Sequence, residues 1–166
     1  MDLIAKYTSL LTLITVIIGW IIVNWQNNNR EERKEVRASL SATLEEIVVI
    51  EDLAIEYHCA AVRSKIQEKE ITKRITRLSS KVRHLRFENK GINTTFIKLK
   101  QAMTLDNFET NRFKSQDLDS EILESIGMYS EQLQDELESE FSKSFRAPFI
   151  YRLASAIRRF RAWCRP

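Results

Sequence analysis

Two histidines, two cysteines and several adjacent carboxylate pairs are the residues of this 166-residue chain with the chemistry for catalysis or metal binding. His58 and Cys59 are sequence neighbours, whereas His84 and Cys164 stand apart. Neighbours on a helix point about 100° apart, a poor start for a shared metal site. His58, beside Tyr57, reads instead as a helix-packing residue. Glu31-Glu32, Glu45-Glu46 and Glu51-Asp52 are adjacent pairs too. An acid/base couple needs both groups on one face, and one-residue spacing on a helix denies that. These pairs read as solvated edges. The sequence holds no phosphate-binding glycine loop, no H-E-x-x-H and no nucleophile elbow. The expectation is a chain that is not an enzyme and takes no metal or cofactor.

Two further groups of residues have chemistry suited to lipid. Thr8, Thr12, Thr15 and Gly19 recur at steps of four, three and four, along one side of a helix. Small and hydroxylated residues let helices approach closely and hydrogen-bond across the contact, the arrangement of a self-associating span. The competing reading is that threonine is tolerated in such helices because its hydroxyl bonds the preceding turn. Near the other end, Phe149, Ile150, Leu153, Ile157, Phe160 and Trp163 gather on one side of a helix opened by Pro148. Arg152, Arg158, Arg159 and Arg161 cover much of the rest. Such a basic amphipathic helix can lie in the interface of an anionic membrane, each Arg contributing on the order of 1 kcal/mol. It can equally close a helical bundle, its arginines meeting acidic side chains, and undocking would allow both.

The element that must position the first group is a hydrophobic span. Residues Tyr7 to Asn29 contain no charged side chain, with Lys6 before them and Arg30 after. A helix of roughly 20 residues covers the ~30 Å hydrocarbon core of a bilayer. Tyr7 at one edge and Trp20 and Trp25 toward the other suit the headgroup level. Asn24 and the run from Gln26 to Asn29 then form a polar collar. A cleavable signal peptide would need a shorter apolar core and small residues in an A-x-A-like arrangement, which Val23-Asn24-Trp25-Gln26 does not offer. Arg30, Arg33, Lys34 and Arg37 outweigh Lys6, so the positive-inside bias leaves the N-terminus outside and the remainder in the cytoplasm. No other segment approaches 18 apolar residues, giving one crossing of a cell inner membrane.

With three glycines and two prolines, the chain has few breakers and favours long helices. Cys59 and Cys164 are expected to be free thiols in a reducing cytoplasm. Charge is sorted by segment. Residues 63–100 are basic, 106–140 acidic and 145–166 basic again. These blocks read as solvated faces or as complementary helices of one bundle. No recognised nucleic-acid-binding motif accompanies the basic block, so nucleic acid is the weaker partner for it.

The expected fold class is all-α: a single N-terminal transmembrane helix followed by a cytoplasmic helical bundle with coiled-coil-like packing. A first helix over Glu31–Arg63 carries Val36, Leu40, Leu44, Ile47, Ile50, Ala54, Tyr57 and Ala61, with Val48, Val49 and Ile55 widening the stripe. A second over Lys69–Lys90 repeats Ile71, Ile75, Leu78, Val82 and Leu85 at four-three steps, with Gly91 past its end in the left-handed region. Asn93 caps a third, ending near Met103, with Ile92 and Ile97 in staple positions. After a loop over Leu105–Gln116, Asp117 begins a fourth, whose apolar side is Leu118, Ile122, Ile126, Tyr129, Leu133, Leu137 and Phe141. The expected domains are residues 1–29 (anchor and collar), 30–145 (bundle) and 146–166 (basic amphipathic helix).

One anchor, a helical cytoplasmic part and no enzyme motif give a layout that resembles the small membrane-tethered effectors of bacterial antiphage systems, including those accompanying retrons. The resemblance is one of architecture, and no functional residue is carried over. It implies a non-enzymatic inner-membrane effector of abortive-infection defence, disrupting the membrane when a cytoplasmic partner releases it. The expected partners are the lipid bilayer, further copies of the chain and a cytoplasmic protein. The alternatives are an anchored helical scaffold that recruits a protein, and a membrane tether for nucleic acid through Arg63–Lys100.

Overall fold

The computed structural model describes residues 2–87 and 89–146, whose regular elements are all helices, with no strand among them. They are α1 (Asp2–Cys59), α2 (Lys65–His84), α3 (Lys90–Thr104) and α4 (Glu121–Arg146). The chain divides into two units, Met1–Ala38 and Ser39–Pro166.

The first unit is the N-terminal part of α1. Its apolar side chains lie open, with Leu11 64% and Trp20 67% exposed. Within α1 lies a stretch long and apolar enough to cross a membrane, none of it buried.

The second unit builds a core from all of its helices. Leu40, Ile47, Ile50, Ala54 and Tyr57 of α1 are fully buried. Ile71, Ile75, Leu78 and Val82 of α2 are buried with Leu85 just beyond it, at the spacing the sequence indicates. From α3 come Ile92, Leu99 and Met103, and from α4 Leu123, Ile126, Leu133, Leu137 and Phe141. Side chains three and four apart share one face of a helix, so each helix presents a single stripe to this core.

The stripe of α1 is narrower than its composition suggests. Val48 and Val49 are exposed and Ile55 half-buried, so α1 is covered on one face, not two. Thr43 occupies a core position instead, its hydroxyl donating to Ser39 O at 2.8 Å. Ala61 is exposed because α1 stops at Cys59.

The helix ends also differ from expectation, each for a local reason. Ser64 caps α2, which starts at Lys65, four residues before the expected start, and its Oγ accepts from Gln67 N. Arg86, at φ 53°, takes the left-handed position past α2, the role expected of Gly91. Gly91 lies instead in the first turn of α3, where Asn89 Oδ1 accepts from its N–H at 2.8 Å. A Cβ on Gly91 would stand 3.0 Å from that oxygen and 3.3 Å from Glu136 Oε2, so close approach, not φ, favours glycine there. Asn89, not Asn93, is therefore the cap, and Ile97 is exposed rather than stapled. Helix α4 begins at Glu121, where Glu124 N first bonds Ser120 O. Leu118 precedes it and is 78% exposed, so Leu123 opens its buried stripe.

Charge sorting does not put α2 against α4 through ion pairs among the described residues. Arg74 and Lys81 of α2 both reach Glu46 of α1, at 3.0 Å each. Burial pushes the Glu46 carboxyl up, but Lys81 and Arg74 outweigh that and hold it below its ordinary value. The acids of α4 serve α3: Glu136 accepts from Thr95 and Glu140 from Asn89.

Candidate functional site

Among the described residues, a cluster of reactive side chains lies where the C-terminal end of α1 meets the start of α2 and the loop of residues 105–120. Tyr57 and His58 come from the last turn of α1, Arg63 from the following turn, Glu68 from α2, and Asn107 and Glu109 from the loop. Glu68 is the hub. It accepts from Arg63 Nε at 2.6 Å, Arg63 Nη2 at 3.0 Å, the Tyr57 hydroxyl at 2.7 Å and Glu109 N at 3.2 Å. A carboxylate with four donors is held ionised, and Arg63 first among them keeps Glu68 below the ordinary carboxylate range. Burial, and then the Glu68 charge, push the Tyr57 phenol up.

His58 is fully buried, and this burial lowers its pKa below the ordinary 6.5. Nε2 lies 3.2 Å from Met103 O, and Nδ1 lies 3.3 Å from the Asn107 amide nitrogen. The carbonyl can only accept and the amide can only donate, so the ring is neutral with its proton on Nε2. Asn107 also pairs both ways with the Lys114 backbone, at 2.8 and 2.9 Å. The Tyr57 ring receives Phe108 and Phe113 edgewise, each at 5.3 Å between centroids.

Each of these protons already has an acceptor inside the protein. A base must be free to take a proton and a metal ligand must offer a lone pair, yet His58 spends both nitrogens on the fold. The cluster ties a 16-residue loop to the helices. Among the described residues no group of three or more His, Cys, Asp or Glu side chains could hold a metal ion. The packing role read for His58 thus agrees with its surroundings. What the sequence did not reveal was its partners, which lie 45 and 49 residues away.

The site residues picked out in the sequence lie elsewhere. Thr12 Oγ1 donates to Thr8 O at 2.9 Å and Thr15 Oγ1 to Leu11 O at 2.8 Å, so both hydroxyls are satisfied within their own helix. Gly19 has open space where a Cβ would stand. The stripe therefore offers a shallow, self-satisfied face that needs no polar partner. Phe149, Ile150, Arg152, Leu153, Ile157, Arg158, Arg159, Phe160, Arg161 and Trp163 lie outside the described residues.

The basic block over residues 63–100 is divided in use. Arg63, Arg74 and Lys81 are engaged with Glu68, Glu46 and Glu70, while Lys65, Lys69, Arg77, Arg83 and Arg86 are exposed. No family model, curated protein or solved structure matches the chain.

Proposed function

We propose that this chain is a non-enzymatic effector of the inner membrane, anchored by residues 7–29 with its helical unit in the cytoplasm and kept silent there by a protein partner. The observation that carries the reading is the contrast between the two units. Residues 39–146 bury their own core, whereas the apolar side chains from Leu10 to Val23 meet nothing. Moving about ten large apolar side chains from water into lipid, at ~1.5–3 kcal/mol each, is favourable by on the order of 20 kcal/mol. Once anchored, copies would meet along Thr8, Thr12, Thr15 and Gly19, and assembled spans breach the bilayer.

Inducible expression of the full chain with a potential-sensitive dye tests this. Growth arrest with dye entry is the expected result. A healthy, polarised culture holding abundant, membrane-inserted protein would overturn it.

A second reading, an anchored scaffold, draws support from the corner between α1 and α2. Val62 and Ile66 stand there 74% and 82% exposed, apolar side chains a bound protein could cover. That reading expects a co-purifying protein and an undisturbed membrane potential.

A further inference from the structure

A concavity of about 650 Å³ lies where the last turn of α2 meets the first residue of the second unit. It is lined by Ser39, Ser80, Lys81, Arg83, His84 and Arg86. Its volume falls within the range of small-molecule sites. The side chains offer donors in excess: two guanidiniums, one ammonium, two hydroxyls and an imidazole.

The cations differ in how far they are committed. Lys81 gives two of its three hydrogens to Glu46 and the Ala42 carbonyl. Arg83 makes one long bond, Nε to Ser79 O at 3.4 Å, which leaves both terminal nitrogens. Among the described residues, no carboxylate lies within ion-pair distance of Arg83, His84 or Arg86. Arg86 holds a left-handed backbone at φ 53°, an uncommon conformation for a side-chain-bearing residue, and its N–H donates to Arg83 O at 3.2 Å. Arg83 and Arg86 both line the concavity. The C-terminal end of α2 presents only about half a negative charge, too little to cancel two guanidiniums.

We infer that this concavity binds a phosphate group, with Arg83 and Arg86 as its principal ligands and Ser39, Ser80 and Lys81 as supporting donors. Guanidinium forks match phosphate oxygens two at a time, and a site rich in donors, with no carboxylate ion-paired to Arg83 or Arg86 among the described residues, favours a multiply accepting anion. An acidic phospholipid headgroup is one source of that group and a soluble phosphorylated molecule the other. The lipid source rests on the anchor proposed above. Ser39 follows Asn29 by ten residues, and ten residues of chain reach at most ~36 Å, so an anchored unit keeps the concavity within that distance of the headgroups.

The test uses the full chain in uncharged micelles, wild type against Arg83→Gln/Arg86→Gln. Both arginines are exposed, so the variant keeps the core intact. Lipid retention is read by native mass spectrometry with phosphatidylglycerol and with phosphatidylcholine, and thermal stability is read with inorganic phosphate. Wild type is expected to retain phosphatidylglycerol on the order of tenfold more than the variant, with phosphatidylcholine retained equally by both. Stabilisation of wild type alone by inorganic phosphate, without lipid preference, keeps the phosphate site and assigns it a soluble ligand. Equal behaviour of wild type and variant in both arms overturns the site. An arginine-dependent affinity for a single-stranded oligonucleotide, with neither lipid nor phosphate recognised, overturns it in favour of nucleic acid. Failure of the chain to enter bilayers removes the anchor, while the phosphate arm still decides the concavity.

Discussion

Glu68 is the carboxylate on which a turn, a helix and a loop converge, and its surroundings make sharp demands on single residues. Tyr57→Phe leaves the ring between Phe108 and Phe113 and removes only the hydroxyl. A hydrogen bond to a charged group is worth about 1.5–3 kcal/mol, and Glu68 keeps its other donors, so a loss of about 1.5 kcal/mol is expected. Urea unfolding of the full chain in micelles measures it. His58 sets a pH dependence. In the unfolded chain its imidazole gains a proton as pH falls through 6.5, while the buried ring, its pKa lowered, still refuses one. The unfolded state then binds more protons, so stability is full above about pH 7 and declines as pH falls, until the folded ring also titrates. The urea midpoint is expected to drop between pH 7.5 and 5.5, and His58→Gln should flatten most of that slope.

At the scale of elements, caps and stripes decide. Asn89→Ala removes the acceptor for Gly91 N and a donor to Glu140, for an expected cost of about 1 kcal/mol. The same urea titration reads it. Thr12→Leu with Gly19→Leu fills the small-residue face of the span without breaking its backbone, and crosslinking of the full chain in micelles should show a lower dimer fraction. Much of this level was legible in sequence. The four-three spacing of Ile71, Ile75, Leu78, Val82 and Leu85 is a local property, and all five are buried. The start of α2 was also written locally, as Ser64 three residues before Gln67, a capping-box spacing hidden by the polar first turn of the helix. Leu118 and Leu123 were not separable by periodicity, because each continues the α4 stripe within a helical step. The Ser120–Glu124 bond made the choice. The loop cluster was illegible for another reason. Asn107, Glu109 and Met103 reach His58 and Glu68 across 41 to 49 residues, and no periodic pattern reports such a pairing.

For the whole molecule, the open apolar stretch of α1 and the sealed core of residues 39–146 call for different solvents. An integral span resists extraction by alkaline carbonate. Fractionated cells should therefore keep the full-length chain in the membrane pellet after such a wash, detected through a C-terminal epitope. Release into the supernatant, or a mature N-terminus beginning after Trp25, would remove the anchor from the proposal. Charge sorting acts at this scale as well: Arg74 and Lys81 are spent on Glu46, while Arg83 and Arg86 near the end of α2 are exposed and line the concavity proposed to take a phosphate.

The carbonyls that close α1 wait for their donors. His58 O accepts from Gln116 N at 2.8 Å and Cys59 O from Ser115 Oγ at 2.8 Å. A ribosome adding ~5–20 residues per second reaches Gln116 roughly 3–12 s after His58. Throughout that interval the nascent chain displays its greasy leading helix while the loop that fastens the domain does not yet exist. For an anchored chain, as proposed, delivery to lipid thereby has a head start over completion of the globular part.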